Sequence, residues 1–473
     1  MEKKNIMFIV HHNNDFDHFL PLIIHLKEKK NMECKIVAFY TENEILKNKL
    51  HKHICNLHGI KFSSMIDISY LKKLNRAINK MYRYVIFKRG LSNPSGRKTP
   101  NLKRKHAKNS NYKVVQSVVF NLLDFILIRY LVLYSIFLLS DKKMREYIGK
   151  NNTDIAVIDH RKIEKMFLNS GPLKRFYYVY KGKVDPMDLV LFRFAKAAKD
   201  LNIPIFMVPH GTQPILIPDG DNNKLENPFN PDFLVVSSEN DLIVHRFMQS
   251  TKSTLFLGDP RFDIDWINYL EKCALAVYKD IVKKPEDKTV LLYLIDNAVY
   301  SQDKEYKLKL HEDIISVVND IDKIEIWIKH HPRHVFEINL GAIVKDNLKE
   351  NIKQFGNSVD TNILIYNADI CISTGSTTLI APVLQKKPVI LYKRWKEIHD
   401  APTIYDCLNF NASSKEELVE KCKRVINGEY NVEESVLEGF YRNVFTGNYL
   451  YENMTEKYGN AIEEIISNNT KTV

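Results

Sequence analysis

The chain has 473 residues, 45% of them hydrophobic, with only 16 Gly and 17 Pro. That excludes a mainly disordered, collagen-like or low-complexity protein and leaves room for two or three domains. The formal net charge is +12, yet Lys72–Lys113 alone carries 14 Lys or Arg and no Asp or Glu, so 12 − 14 leaves about −2 for everything else. The positive excess is therefore local, which points to a local anionic partner rather than a generally basic protein.

The first eighty residues alternate strand and helix signals. Asn5–Val10 and Cys34–Phe39 read as short buried strands. Asp17–Lys30 and Glu42–Leu57 have helical spacing. Such alternation implies a parallel sheet covered on both faces. The apolar run to Val10 is too short for a signal peptide. Lys72–Ser140 breaks the rhythm. Its basic part contains the loop signals Asn93-Pro94-Ser95-Gly96 and Thr99-Pro100. Val114–Leu139 follows, apolar and long enough to cross a bilayer, but with Asn121, Asp124 and Arg129 near its middle. We read it as a helix packed in the protein, a helix or helical pair resting on a membrane surface, or a true span, in that order, with the basic run either drawn to anionic lipid or a solvated loop. The alternation resumes with strands at Asp154–Asp159, Pro204–Pro209, Phe233–Ser237 and Thr254–Leu257, and helices at Leu189–Leu201 and from Glu239.

A second unit begins after Pro285-Glu286-Asp287-Lys288. Strands are expected at Thr289–Ile295, Ile324–Lys329, Asp369–Ser373 and Pro388–Tyr392. Helices are expected at Tyr306–Val318, Thr377–Leu384, Lys415–Ile426 and Tyr451–Ile466. The expected division is 1–284, with an insertion at 68–148, and 285–473, whose last helix crosses back. Two doubly wound units facing each other place a ligand cleft between two rows of strand C-termini.

The six cysteines (Cys34, Cys55, Cys273, Cys371, Cys407 and Cys422) form no CxxC pair, so neither a zinc site nor a disulfide framework is expected. Asp219-Gly220-Asp221 is a DxD pair among turn residues, read as a surface loop, and no metal site is expected. The strongest chemical signal is Ser373-Thr374-Gly375-Ser376-Thr377, between a strand and a helix, where hydroxyls and free N–H groups hold phosphate. N-capping alone would explain one hydroxyl there. No GxxxxGK[ST] loop occurs, which argues against an NTPase. Lys329, His331, Pro332 and Arg333 close a strand of the same unit with positive charge suited to phosphate oxygens. His210-Gly211-Thr212 ends a strand of the first unit. There a His can act as general base, and Gly lets a backbone approach a ligand. Asp159 and His160, at another strand end, are the alternative base. Arg261, in Gly258-Asp259-Pro260-Arg261-Phe262-Asp263, either reaches the cleft or ties down the linker through Asp263 or Asp265.

From Ile203 to Tyr392 the order of these motifs resembles the two-domain GT-B glycosyltransferases that build bacterial surface polysaccharides. His210-Gly211-Thr212, Gly258–Asp263 and His331-Pro332-Arg333 are similar to segments of the teichoic-acid polymerase family, which uses CDP-glycerol or CDP-ribitol. The Ser373–Thr377 segment lacks that family's Asp-Tyr and is closer to the capsule transferases that use CMP-sugars. The resemblance implies a nucleotide-activated donor held by the C-terminal unit, a CMP-sugar by preference, and an acceptor that is a growing polysaccharide or a lipid-linked glycan. No cofactor or metal is expected, because N–H groups and basic side chains would stabilise the departing phosphate. The expected setting is cytoplasmic, at the inner face of the plasma membrane, with no nucleic-acid partner. The rival readings are a CDP-polyol phosphotransferase, a UDP-sugar epimerase of the same architecture, and a non-catalytic membrane or nucleic-acid binding module.

Overall fold

The computed structural model describes residues 3–10, 13–38, 45–64, 141–159, 186–208, 231–238, 253–295, 304–331, 343–344, 346–393, 404–408, 410–445 and 450–470. Several expectations lie outside them: Lys72–Lys113 and Val114–Leu139, the helix from Glu239, Asp219–Asp221, His160, His210, Gly211, Thr212, Pro332 and Arg333.

Among the described residues the strands form two sheets, and every pairing is parallel. The first contains β1 (Asn5–Val10), β2 (Glu33–Ala38), β3 (Phe62–Ser64), β4 (Ile155–Asp159), β5 (Ile205–Val208), β6 (Phe233–Val236) and β7 (Ser253–Phe256). Their spatial order is β3-β2-β1-β4-β5-β6-β7. The second contains β8 (Thr289–Leu294), β9 (Ile324–Lys329), β10 (Ile352–Phe355), β11 (Ile370–Ser373), β12 (Val389–Tyr392) and β13 (Asn411–Ala412), in the order β10-β9-β8-β11-β12-β13. The strands read as unbroken apolar runs because both faces are covered. In β4, β9 and β11 every residue is buried.

The helices are α1 (Asn13–Glu28), α2 (Lys49–Leu57), α3 (Asp141–Lys150), α4 (Pro186–Asp200), α5 (Ile264–Tyr278), α6 (Lys304–Ser316), α7 (Thr361–Asn367), α8 (Ile380–Leu384), α9 (Lys415–Ile426), α10 (Glu434–Val444) and α11 (Met454–Thr470). Several differ from the sequence reading: α1 begins four residues before the expected Asp17, and α4 and α6 begin three and two residues before the expected Leu189 and Tyr306. α2 starts at Lys49 because Asn48 caps it, its Oδ1 accepting from the Leu50 and His51 amides at 2.9 and 3.4 Å. The segment expected as one helix over Thr377–Leu384 begins as a 3-10 turn, Thr377–Leu379, and only then becomes α8. The last helix runs Met454–Thr470 rather than Tyr451–Ile466.

One apolar cluster joins the two sheets. It holds Phe8 and Phe206 of the first, Leu292 and Trp327 of the second, and Trp266, Leu364, Phe440 and Ile462 from helices between them. α11 lies against α1 of the first unit, closely enough that a Cβ on Gly459 would stand 2.8 Å from His25 Nε2. Among the described residues no helix is long and apolar enough to cross a membrane.

Candidate active site

In a doubly wound sheet the strand order reverses between two neighbours. Their C-terminal ends then open a crevice, because the following helices leave to opposite faces. The first sheet reverses between β1 and β4, and the second between β8 and β11. Two expected site positions stand at these points. Asp159 is the last residue of β4, 1% exposed, and pairs in register with Val208, two residues before His210 in sequence. Ser373 is the last residue of β11, and with Thr374 it is buried.

The Ser373–Thr377 loop turns on Gly375, whose φ of +147° is closed to most L-residues; no atom within 4 Å would meet a Cβ there. The backbone is thus both unusual and open to approach. Part of the hydroxyl set holds the loop itself. Ser373 Oγ accepts from the Ser376 amide at 3.4 Å, and Ser376 Oγ accepts from the Thr378 amide at 3.2 Å. The buried Tyr405 hydroxyl donates to Ser376 O at 2.7 Å, and burial raises its pKa well above the ordinary value. Ser376 therefore acts as an N-cap, while Thr377 lines the cleft.

Lys329 ends β9 but its ammonium does not stand free. It donates to Gly356 O at 2.8 Å and Val359 O at 3.0 Å, holding the loop into α7. Burial lowers its pKa, and the nearby Asp360 opposes that. His331 follows, half-buried, as the strand's exit.

Arg261 corrects one expectation: it pairs with neither Asp263 nor Asp265. Its Nη2 and Nε donate to Asp259 Oδ2 at 2.9 and 3.2 Å. Asp259 is fully buried and also faces His18 Nδ1 of α1 at 3.5 Å. Burial alone would raise the Asp259 carboxyl, but the guanidinium and the imidazole outweigh it and hold it well below the usual range. Asp263 instead accepts from the Met454 and Thr455 amides, both at 2.7 Å, and from the Thr455 hydroxyl. It anchors the N-terminus of α11. Tyr458 adds a 2.8 Å bond to the carbonyl of Gly258, whose φ of +77° forms the turn after β7.

Of the expected site residues, Arg261 and Thr377 line one cavity of about 210 Å³, whereas Asp159, Lys329, His331, Ser373 and Thr374 are not in its wall. Asp17, His51 and Arg261 line it from the first unit, and Asp360, Asn362, Thr377 and Thr378 from the second. Trp266, Leu270 and Ile365 give it an apolar wall. His51 is buried and its Nε2 bonds Asp17 Oδ1. Burial disfavours its charge, but Asp17 and Asp360 prevail and raise its pKa. Asp17, His51, Asp360 and Asn362 were not singled out in the sequence. Asp360 had a legible signal, an Asp capping the apolar run Ile363–Ile365. A larger cavity, about 480 Å³, opens among Asn5, Glu33 and Lys35 at the N-terminal ends of β1 and β2, where this architecture does not bind ligands. Its Lys27 and Lys35 already bond His58 O, Gly59 O and Asn151.

No protein-family profile matches the chain, and no curated protein matches it in sequence. Solved structures do match. The UDP-GlcNAc 2-epimerase of Methanocaldococcus jannaschii aligns over 97% of this chain and 99% of its own, at 15% identity and a TM-score of 0.50. Another UDP-N-acetylglucosamine 2-epimerase aligns over 98% and 95%, at 10% identity and the same TM-score of 0.50. The chain has the GT-B fold. A wall teichoic acid polymerase, TagF, also aligns, over 99% and 90%, at 12% identity and a TM-score of 0.49. At such identities the likeness is one of fold and identifies no donor.

Proposed function

We propose that this chain is a glycosyltransferase that moves a sugar from a nucleotide-activated donor, a CMP-sugar by preference, to a bacterial surface polysaccharide or lipid-linked acceptor. One observation carries the reading. The Ser373–Thr377 loop stands at the switch point of the second sheet, and its Thr377 opens on a cavity that the first unit also lines. In this reading residues 285–473 hold the donor and residues 1–284 admit the acceptor. The donor phosphate lies against the loop, with His331 and Arg333 beside it. His210, or Asp159 at the neighbouring strand end, takes the acceptor hydroxyl proton as that oxygen attacks the anomeric carbon. The bond from that carbon to the phosphate oxygen breaks, and the nucleotide leaves with the electron pair. No metal or cofactor takes part in this scheme. Lys329 serves it by fixing the loop into α7. The segments Lys72–Lys113 and Val114–Leu139 bring the enzyme to anionic lipid.

The fold match to two UDP-GlcNAc 2-epimerases favours a second reading, in which a UDP-sugar is epimerised and nothing is transferred. Mass spectrometry of the acceptor, with proton NMR of the nucleotide sugar to tell epimers of equal mass apart, separates the two. The protein is incubated with a CMP-sugar, UDP-GlcNAc or CDP-glycerol, each with a bacterial lipid and polysaccharide extract. Transfer adds one sugar residue to a component of the extract and frees the nucleotide. A polyol phosphate on the acceptor identifies a phosphotransferase. An isomeric UDP-sugar with no acceptor product identifies an epimerase and refutes the first reading.

A further inference from the structure

Two helix N-termini, one from each unit, meet at the cleft. Asn48 caps α2 of the first unit through its Oδ1, and Asp360 caps α7 of the second through its Oδ1, which accepts from the Asn362 amide at 3.0 Å. The remaining atom of each cap joins the other: Asn48 Nδ2 donates to Asp360 Oδ2 at 3.0 Å. We propose that this cap-to-cap bond is an interdomain latch that holds the cleft closed. It does not depend on which reaction the cleft performs.

The geometry supports a latch rather than an incidental contact. The bond spans 312 residues of sequence and joins the two units beside the cavity they share. Each end is rigid. Asp360 follows the loop that Lys329 pins through Gly356 O and Val359 O, at the exit of β9. Asn48 leads into His51, which is itself tied to Asp17 of α1. Besides the apolar packing of α5 against α7, a shift of the donor-side loop therefore reaches the first unit through this hydrogen bond to a charged group, the kind of contact whose loss is felt. Hinge closure of this sort controls ligand entry and exit in two-domain enzymes.

The test exploits the fact that Asn and Asp both cap helices well, so exchanging them preserves each helix start. Asn48→Asp places two carboxylates face to face. Asp360→Asn leaves one amide oxygen for two contacts. The double variant, Asn48→Asp with Asp360→Asn, restores the bond with donor and acceptor reversed. Small-angle scattering and hydrogen exchange are read on the full chain without ligand, so a wrong assignment of the reaction cannot affect the result. Asn48→Asp is expected to enlarge the radius of gyration and to raise exchange in 48–57 and 360–367 by about tenfold. The double variant is expected to return both to the parent values. Parent-like scattering and exchange in Asn48→Asp, or no recovery in the double variant, overturns the latch. If Asn48→Asp fails to fold, the double variant decides alone: parent-like compactness and exchange support the latch, and their loss overturns it.

Discussion

Replacing Asp259 with Asn tests the electrostatics that fix Arg261 at the cavity. The carboxylate is fully buried and takes three side-chain contacts from Arg261, at 2.9, 3.2 and 3.3 Å, besides the Arg261 amide at 3.1 Å. Removing one partner of a buried pair leaves an uncompensated charge, at a cost of roughly 3–5 kcal/mol. Arg261 is 23% exposed, so water compensates in part and the lower end, about 3 kcal/mol, is expected near pH 7. The sign with pH follows from linkage. The Asp259 carboxyl is held below its ordinary 3.8, so below that value the unfolded chain binds the extra proton. Its contribution is therefore present above pH 3.8 and shrinks as pH falls, by about 1.4 kcal/mol per unit, until the folded group itself protonates. Urea unfolding of parent and Asp259→Asn at pH 7, 5 and 3 reads this directly. The destabilisation should be alike at pH 7 and 5 and about 1 kcal/mol smaller at pH 3. A loss under about 1 kcal/mol at pH 7, or no change between pH 5 and 3, would refute the reasoning.

Other outcomes follow from the same contacts. Lys329→Met leaves the carbonyl of buried Val359 without its donor and frees that of exposed Gly356 to water, and should lower stability by about 1–2 kcal/mol and weaken nucleotide-induced stabilisation, read by thermal denaturation. Gly459→Ala drives a methyl into His25, and should lower the melting temperature although Ala is the better helix former by about 1 kcal/mol. A raised or unchanged melting temperature would mean that His25 moves aside freely. His51 has a raised pKa, so its pair with Asp17 contributes stability below its ordinary 6.5 and loses it as pH rises through the folded value. Melting temperature from pH 5 to 9 should show that decline in the parent and less of it in His51→Gln.

The doubly wound architecture was legible because parallel strands buried on both faces leave continuous apolar runs. β1 and β9 have the limits that the sequence suggests. Short elements were not. α7 has seven residues, under two full turns, and β10 has one buried, two exposed and one half-buried position with no alternation. The cleft was legible only in part, since strand-end residues are signalled locally while their partners are set by tertiary packing. Lys329 reads as a free cation in sequence, yet loop carbonyls 27 and 30 residues away take its ammonium. Arg261 has acidic neighbours on both sides. Asp263 is drawn off by the N-terminus of α11, which the local sequence does not reveal. Asp17 and Asp360 share a cavity only because the two units face each other.

Nucleotide binding at the second switch point is the central claim, and thermal stabilisation by CMP, CDP, UMP, UDP and GDP tests it most directly. Each is added to the parent and to Gly375→Val, whose side chain opposes the φ of +147° in the loop. The variant's unliganded melting curve and circular dichroism serve as its folding control. A ligand at a hundred times its Kd stabilises the native state by about 2.7 kcal/mol. The account predicts that shift with a cytidine nucleotide in the parent and its loss in folded Gly375→Val. No shift with any nucleotide, or an equal shift in both proteins, would contradict it.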